Sequence, residues 1–270
     1  MMNGNRFWTV FVREVRSAVR TRTYLVLGLV TGIVLFGLAY AGGGPAGGYV
    51  PTVVDTLVAV EVLVPTLAFA VGYRAIADPA VRGELDILDT YPLSTWSYVG
   101  GVYAGRALLL LTIVVVPLLA LGVNVATTAG PETTVFASHR GVDSPFLFIR
   151  FVALTVLYAL TSLTIAFLLS ALARSRGRAL VLALAGLLVL TVGSDLAVFA
   201  ALDTGVTTGT LGGALAMTPA GAYRGLVFDQ VLYVAVPGRS AFVPTWVAAL
   251  SLLFWWGLTF VGAMLATDAA

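Results

Sequence analysis

Apolar residues in this chain run in long, nearly unbroken stretches, not in the spaced stripes of a soluble helix. A helix needs roughly 20 apolar residues to cross the hydrocarbon core of a bilayer. Six stretches qualify, with approximate ends at 24–41, 52–73, 98–126, 146–172, 179–202 and 244–266. The breaks between them have loop chemistry. Residues 42–48 form a Gly/Pro turn, 127–145 are polar and carry His139, and 173–178 are a short Arg-dense turn. The pattern predicts an all-α membrane protein whose residues 1–270 form one transmembrane domain.

Three further elements stand outside the spans. At 100° per residue, the segment 3–23 places Phe7, Trp8, Phe11, Val12, Val15, Ala18 and Val19 on one face, with Arg6, Arg13, Arg16 and Arg20 opposite. That is the pattern of an amphipathic elbow helix lying in the membrane interface and leading into the first span. The segment 74–97 is far more polar than its surroundings. Asp78 before Pro79 suits an N-cap and first turn, Val81, Leu85 and Leu88 form a narrow apolar stripe, and Tyr91-Pro92 ends the helix. A short amphipathic helix projecting from a membrane domain suits docking into a partner's groove. Finally, Thr218-Pro219 opens a helical stretch within 203–243 that is apolar enough to be re-entrant or interfacial. If it is re-entrant, Arg224 and Asp229 would need protein or water around them.

Composition narrows the chemistry. The chain is 59% hydrophobic and 10% charged, with a mean hydropathy of +0.99. A soluble domain carries about 25% charged residues, so water is not the main solvent here. All 15 basic residues are arginine, which excludes a P-loop lysine, a Schiff-base lysine and a lysine general base. With no cysteine and a single histidine, a thiolate nucleophile or a multi-histidine metal centre is excluded as well. The expectation is a non-catalytic chain with no catalytic residue, cofactor or metal of its own. A formal charge of +2 gives no reason to expect nucleic acid as a partner.

The arginines also report orientation. With the N-terminus in the cytoplasm, eleven of them, from Arg6 to Arg178, fall inside or at the inner boundary, whereas Arg140, Arg150, Arg224 and Arg239 fall outside. This positive-inside asymmetry predicts a multi-pass protein with both termini cytoplasmic. Ala39-Tyr40-Ala41 has the look of a signal-peptide cleavage site, but the basic region before the first span is long and patterned, so that span is read as retained.

Four acidic or amide residues fall within the spans. Glu61 lies near the middle of the second, Asp55 nearer its outer end, Asn124 near the outer end of the third and Asp195 toward the outer end of the fifth. Acidic groups at membrane depth are costly, so each must face protein or a wet cavity and is a functional candidate. Gly28, Gly32 and Gly37 are read as allowing close helix packing, and Pro65 and Pro117 as helix kinks.

The stretch from Val81 through Ser94 resembles the cytoplasmic loop of ABC-2-type transporter permeases, which reads roughly E-R-x-x-G-T-L-E-L-L-L-S-L-P-V-S-R. Arg82-Gly83, Leu85-Asp86-Ile87-Leu88 and Pro92-Leu93-Ser94 carry the likeness. The run Phe11–Arg22 is similar to the family's R-K-E-L-R-x-x-x-R-S-R element, and Thr218–Arg224 to its N-P-x-x-x-F-R element. Val81, Glu84, Thr95 and Thr218 depart from those patterns. The six-span permeases of nitrous-oxide-reductase maturation and of small-drug or sodium export look most similar.

The resemblance implies a plasma-membrane permease subunit that exports its substrate. It further implies a homodimer or paralogous dimer and two cytoplasmic ATPase subunits, which would hold ATP and Mg. The coupling helix between spans two and three would comprise Val81, Arg82, Glu84, Leu85, Asp86, Leu88 and Asp89. Two other classes compete with this one. A stand-alone ion-coupled carrier would use Glu61, although no repeat of two halves is visible. An intramembrane enzyme such as a protease or lipid transferase would use Ser194, but its histidine would be His139, in a loop.

Overall fold

The computed structural model describes residues 3–84, 94–129, 143–173, 175–193, 195–196, 200, 208–235 and 243–268, and these are all-helical, with no strand among them. In chain order the helices are α1 (Asn3–Val19), α2 (Arg22–Gly42), α3 (Gly44–Gly47), α4 (Tyr49–Gly72) and α5 (Ala77–Val81). After these come α6 (Thr95–Thr128), α7 (Pro145–Leu172), α8 (Arg176–Thr191), α9 (Thr208–Ala216), α10 (Pro219–Val227) and α11 (Thr245–Asp268). A π-helical turn, Phe228–Leu232, prolongs α10, and a 3₁₀ turn, Tyr233–Ala235, follows it.

Among the described residues five segments are long and apolar enough to cross a membrane: α2, the stretch Tyr49–Val81 that contains α4, α6, α7 and α11. The chain is therefore an all-α, multi-pass membrane protein. The fifth expected span, 179–202, corresponds to α8, whose 16 residues fall short of a full crossing. Beyond it the described chain is helical again at Gly193, at Asp195 and Leu196, and at Ala200.

Helix α7 is the central pillar. Phe151, Tyr158, Leu163 and Phe167 are fully enclosed as it packs against α4 on one side and α11 on the other. An aromatic cluster joins α6, α7 and α11. Trp256 donates to the Tyr103 hydroxyl at 2.9 Å, which donates to the Leu160 carbonyl at 3.1 Å, with Phe167 and Phe260 packed edge-on and tilted around Tyr103. The peripheral helices turn bare apolar faces outward, including Leu25, Leu29 and Ile33 on α2, Val181 and Leu188 on α8, and Trp246, Phe254 and Leu265 on α11. Such continuous apolar surface is stable in lipid and a liability in water. Threonine hydroxyls inside the helices, such as Thr31, Thr155 and Thr259, bond back to the carbonyl four residues earlier, which satisfies them without water.

The helix ends use side chains from elsewhere in the chain. Asp143, just before α7, accepts from the Tyr49 and Val50 amides, both at 2.9 Å, and so caps α4. Ser170 of α7 accepts from the Ile76 and Ala77 amides, both at 3.1 Å, at the start of α5. The Gly/Pro turn expected at 42–48 contains the single helical turn α3, flanked by Gly43 and Gly48 at φ 79° and 114°, where a side chain would strain the backbone.

Candidate functional site

Three charged groups from distant parts of the chain meet inside this apolar bundle. Thr218 caps α10 by accepting from the Gly221 amide at 3.1 Å, with Pro219 in the first turn, as their sequence predicts. Because Ala220, Gly221 and Ala222 are small, α10 packs closely between α7 and α11. Tyr223 is fully enclosed, stacks on Tyr158 with ring centroids 4.5 Å apart and nearly parallel planes, and shares a 3.0 Å hydrogen bond with Thr155. The Tyr158 hydroxyl donates to the backbone carbonyl of Glu61 at 3.2 Å. This stack fixes the rotation of α10 and hence the direction of the next residue, Arg224.

Arg224 reaches into the middle of α4. Its Nε lies 2.9 and 3.0 Å from the two carboxylate oxygens of Glu61, and Nη2 lies 2.8 Å from Oε1. Nη1 donates to Asp195 at 2.9 Å, with Nη2 at 3.4 Å from the other oxygen. Of the three side chains Glu61 is the enclosed one, at 6% exposure, against 36% for Arg224 and 40% for Asp195. Burial alone would lower the Arg224 pKa, but the hydrogen bonds to Asp195 and Glu61 outweigh it and the guanidinium is held charged more firmly than usual. With both acids ionised, the cluster of one cation and two anions carries net charge −1. Arg224 also borders a cavity of about 310 Å³ whose other walls are mostly apolar, among them Leu215, Phe228, Tyr233 and Val243. The arrangement is an ionic strut between α4, α10 and the segment after α8, one arm enclosed and the other open.

Of the four polar residues expected in the membrane, Glu61 and Asp195 are brought together by Arg224, and the other two stand apart. Asn124 accepts from the Tyr40 hydroxyl at 3.0 Å, tying α6 to α2. Asp55 lies against the α2–α3 turn, where a Cβ on Gly42 or Gly44 would come within 2.2 or 2.6 Å of its carboxylate. Asp229 bonds to Thr245 and, at 2.8 Å, to Gln230, which joins the π-helical turn to the start of α11.

The segment expected to form one amphipathic helix from Asp78 onward is interrupted. Helix α5 ends at Val81 with Arg82 as its C-cap, and Gly83 at φ 70° takes the left-handed conformation that terminates helices. Asp78 lies in the first turn, not at the N-cap, and pairs with Arg176 at 3.3 Å. Val81 is exposed, and Arg82 pairs with Glu84 at 2.9 Å, both partly open to solvent. Leu85, Asp86, Leu88 and Asp89 lie outside the described residues, as do Ser194 and His139.

Helix α1 forms as expected but presents a different stripe to the bundle. Val10 and Ala18 are buried against α6, whereas Trp8 and Val19, assigned to the same apolar face, are 60% and 77% exposed. The apolar arc is wider than one contact, so part faces protein and part faces outward. Close approach depends on Gly101 and Gly105 of α6, where a Cβ would come within 2.8 Å of Val10 and 2.6 Å of Glu14. The glycines read as packing sites in α2 are open instead. A Cβ at Gly28 or Gly37 would meet nothing within 4 Å, and one at Gly32 only Pro117 at 3.8 Å.

A second charged junction fixes this end of the bundle. Arg106 of α6 donates through Nε to Glu14 at 3.0 Å and through Nη1 to the Val71 carbonyl at 2.8 Å, so that α1, α6 and the last turn of α4 share one side chain. The sequence pattern does not single out this pair. The one signal for it is that Glu14 is the only acidic residue among the first 54.

No family model matches the chain. Over 108 residues it is 32% identical to the Probable ABC transporter permease protein NosY of Pseudomonas aeruginosa, and over 111 residues 28% identical to the protein of that name from Stutzerimonas stutzeri. The aligned parts cover 38% and 39% of this chain, and the chain spans 39% and 40% of the length of these curated relatives. The likeness is to proteins named as probable ABC transporter permeases.

Proposed function

We propose that this chain is the membrane-spanning permease subunit of an ATP-binding cassette transporter of the ABC-2 type. It would export a substrate across the plasma membrane while a separate ATPase supplies the energy. The observation that supports this reading is the 32% identity over 108 residues to a protein named as a probable ABC transporter permease. The absence of lysine agrees with it, because a chain without a P-loop needs another polypeptide to hydrolyse ATP.

In this reading both termini are cytoplasmic, α1 is the elbow helix, and two copies of the permease, identical or paralogous, bind two ATPase subunits through residues 81–89. Nucleotide-driven movement of that segment reaches α4 directly, since α5 follows it within a few residues. The Arg224–Glu61–Asp195 strut would then couple α4 to α10, so that movement at one end of the bundle alters packing at the other. Glu61 acts as an anchoring anion here, and its pairing with Arg224 leaves it poorly placed as a free proton carrier.

Co-expression with an ATPase encoded beside it tests the reading. The two proteins should co-purify, vesicles should show ATP-dependent transport, and Leu85→Asp should abolish stimulation of the ATPase without unfolding the permease. Normal stimulation in Leu85→Asp would remove the coupling assignment. Proton-driven transport by this chain alone, lost in Glu61→Gln, would replace the whole reading with that of an ion-coupled carrier.

A further inference from the structure

The second half of α1, the start of α2 and the middle of α6 enclose a small cavity of about 220 Å³. Its walls include Val15, Val19, Leu25, Leu108 and Thr112. The Thr112 hydroxyl is returned to the Leu108 carbonyl, so the lining is apolar in effect. Val19 and Leu25 stand 77% and 74% exposed, and so the cavity opens outward beside the turn Arg20-Thr21-Arg22. Arg20, Arg22 and Arg16 one turn earlier are exposed, and none pairs with a carboxylate among the described residues. Glu14, the only acid in the first 54 residues, is already taken by Arg106. Charge balance for these arginines therefore comes from outside this part of the chain.

An apolar slot that reaches Thr21, between two exposed arginines of which Arg20 itself lines the neighbouring cleft with Arg13 and Arg16, has the chemistry of one amphiphile on the flank of a membrane protein. We propose that it holds an anionic glycerophospholipid, with the end of one acyl chain in the cavity and the headgroup phosphate on Arg20 and Arg22. A methylene occupies about as much volume as a water molecule, about 30 Å³, so the cavity accepts roughly seven of them. The rest of the chain continues into the bilayer. Guanidinium groups meet phosphate oxygens through two parallel hydrogen bonds, which favours a phosphate monoanion over a zwitterionic headgroup whose own ammonium competes. The site needs only the membrane setting and is independent of the transport reaction.

The test uses the full chain in phosphatidylcholine vesicles with phosphatidylglycerol as the minor anionic lipid, extracted in mild detergent, with retained lipid identified by native mass spectrometry. The wild type should retain phosphatidylglycerol in preference to phosphatidylcholine. Arg20→Gln with Arg22→Gln should weaken retention by about five-fold for each arginine removed, whereas the corresponding lysine pair keeps most of it and serves as the folding control. Thr112→Trp, which fills the slot, should release the lipid with every arginine in place, while Thr112→Val keeps it. Wild-type retention in the Gln pair overturns the proposal. Undiminished retention in Thr112→Trp also overturns it, because the headgroup alone would then be adsorbing to α1. Displacement by soluble glycerol phosphate overturns it in favour of a free-phosphate site.

Discussion

Arg224 and Glu61, 163 residues apart in the chain, meet with Nε within 3.0 Å of both carboxylate oxygens, and among the described residues neither charge has another enclosed partner. Removing one member of such a pair strands the other, which is more damaging than removing both. Glu61→Ala should destabilise the protein by about 2–3 kcal/mol, below the roughly 3–5 kcal/mol of a fully buried pair because Arg224 is partly open. Glu61→Ala together with Arg224→Gln should recover part of that loss. Chemical unfolding in detergent across this double-mutant cycle measures the coupling, and additive losses would show that the pair is not a unit.

The Asp195 arm behaves differently because both of its members are open to their surroundings. Asp195→Asn should change stability by less than about 1 kcal/mol, as for other exposed pairs. A loss as large as that of Glu61→Ala in the same unfolding assay would mean that the site is closed by something beyond this chain.

Docking of α1 rests on Arg106. Arg106→Gln breaks bonds to both Glu14 and the Val71 carbonyl, and a loss of about 2 kcal/mol follows for hydrogen bonds to a charged group. Amide exchange along residues 3–19 should quicken while the core of α7 stays protected. Unchanged exchange in α1 would show that apolar packing alone holds it.

Glycines on α2 and α6 should respond in opposite ways to an added methyl. Gly105→Ala drives a Cβ into Glu14 and should cost about 1–3 kcal/mol by overpacking. Gly28→Ala enters open space within a helix and should be neutral or stabilising by up to about 1 kcal/mol. Thermal unfolding of the two variants side by side distinguishes them. Damage from Gly28→Ala would point to a second chain packed there.

The cap that Asp143 places on α4 should also be measurable. Asp143→Ala removes the acceptor for two amides and should lower stability by about 1 kcal/mol, whereas Asp143→Asn keeps most of it. Unfolding midpoints that do not separate Ala from Asn would assign those amides to another acceptor.

Signals that are local in the chain are legible in the amino-acid sequence alone. Uninterrupted apolar runs mark the helices of α2, α4, α6, α7 and α11, because a backbone in hydrocarbon must satisfy itself internally. The Thr218-Pro219 cap and the amphipathic arc of α1 are equally local, as is the absence of a phosphate-binding lysine. Gly83 carries a stop signal that the apolar stripe Val81, Leu85 and Leu88 obscures, since a period argument does not register a residue free to turn left-handed.

Partner choice across the bundle is not legible in the same way. Glu61 announces by its depth that it needs a partner, yet nothing in the spacing of residues 61, 195 and 224 says which one it takes. Nor does the arc of α1 say which part of it meets protein. Sequence determined which segments leave water and where their backbones begin and end, because those energies are summed over neighbours along the chain. Only the tertiary structure decided that Arg224 serves Glu61, that Arg106 serves Glu14 and that Gly105 rather than Gly28 admits a neighbouring helix, because those energies depend on contacts between helices that the chain order leaves open.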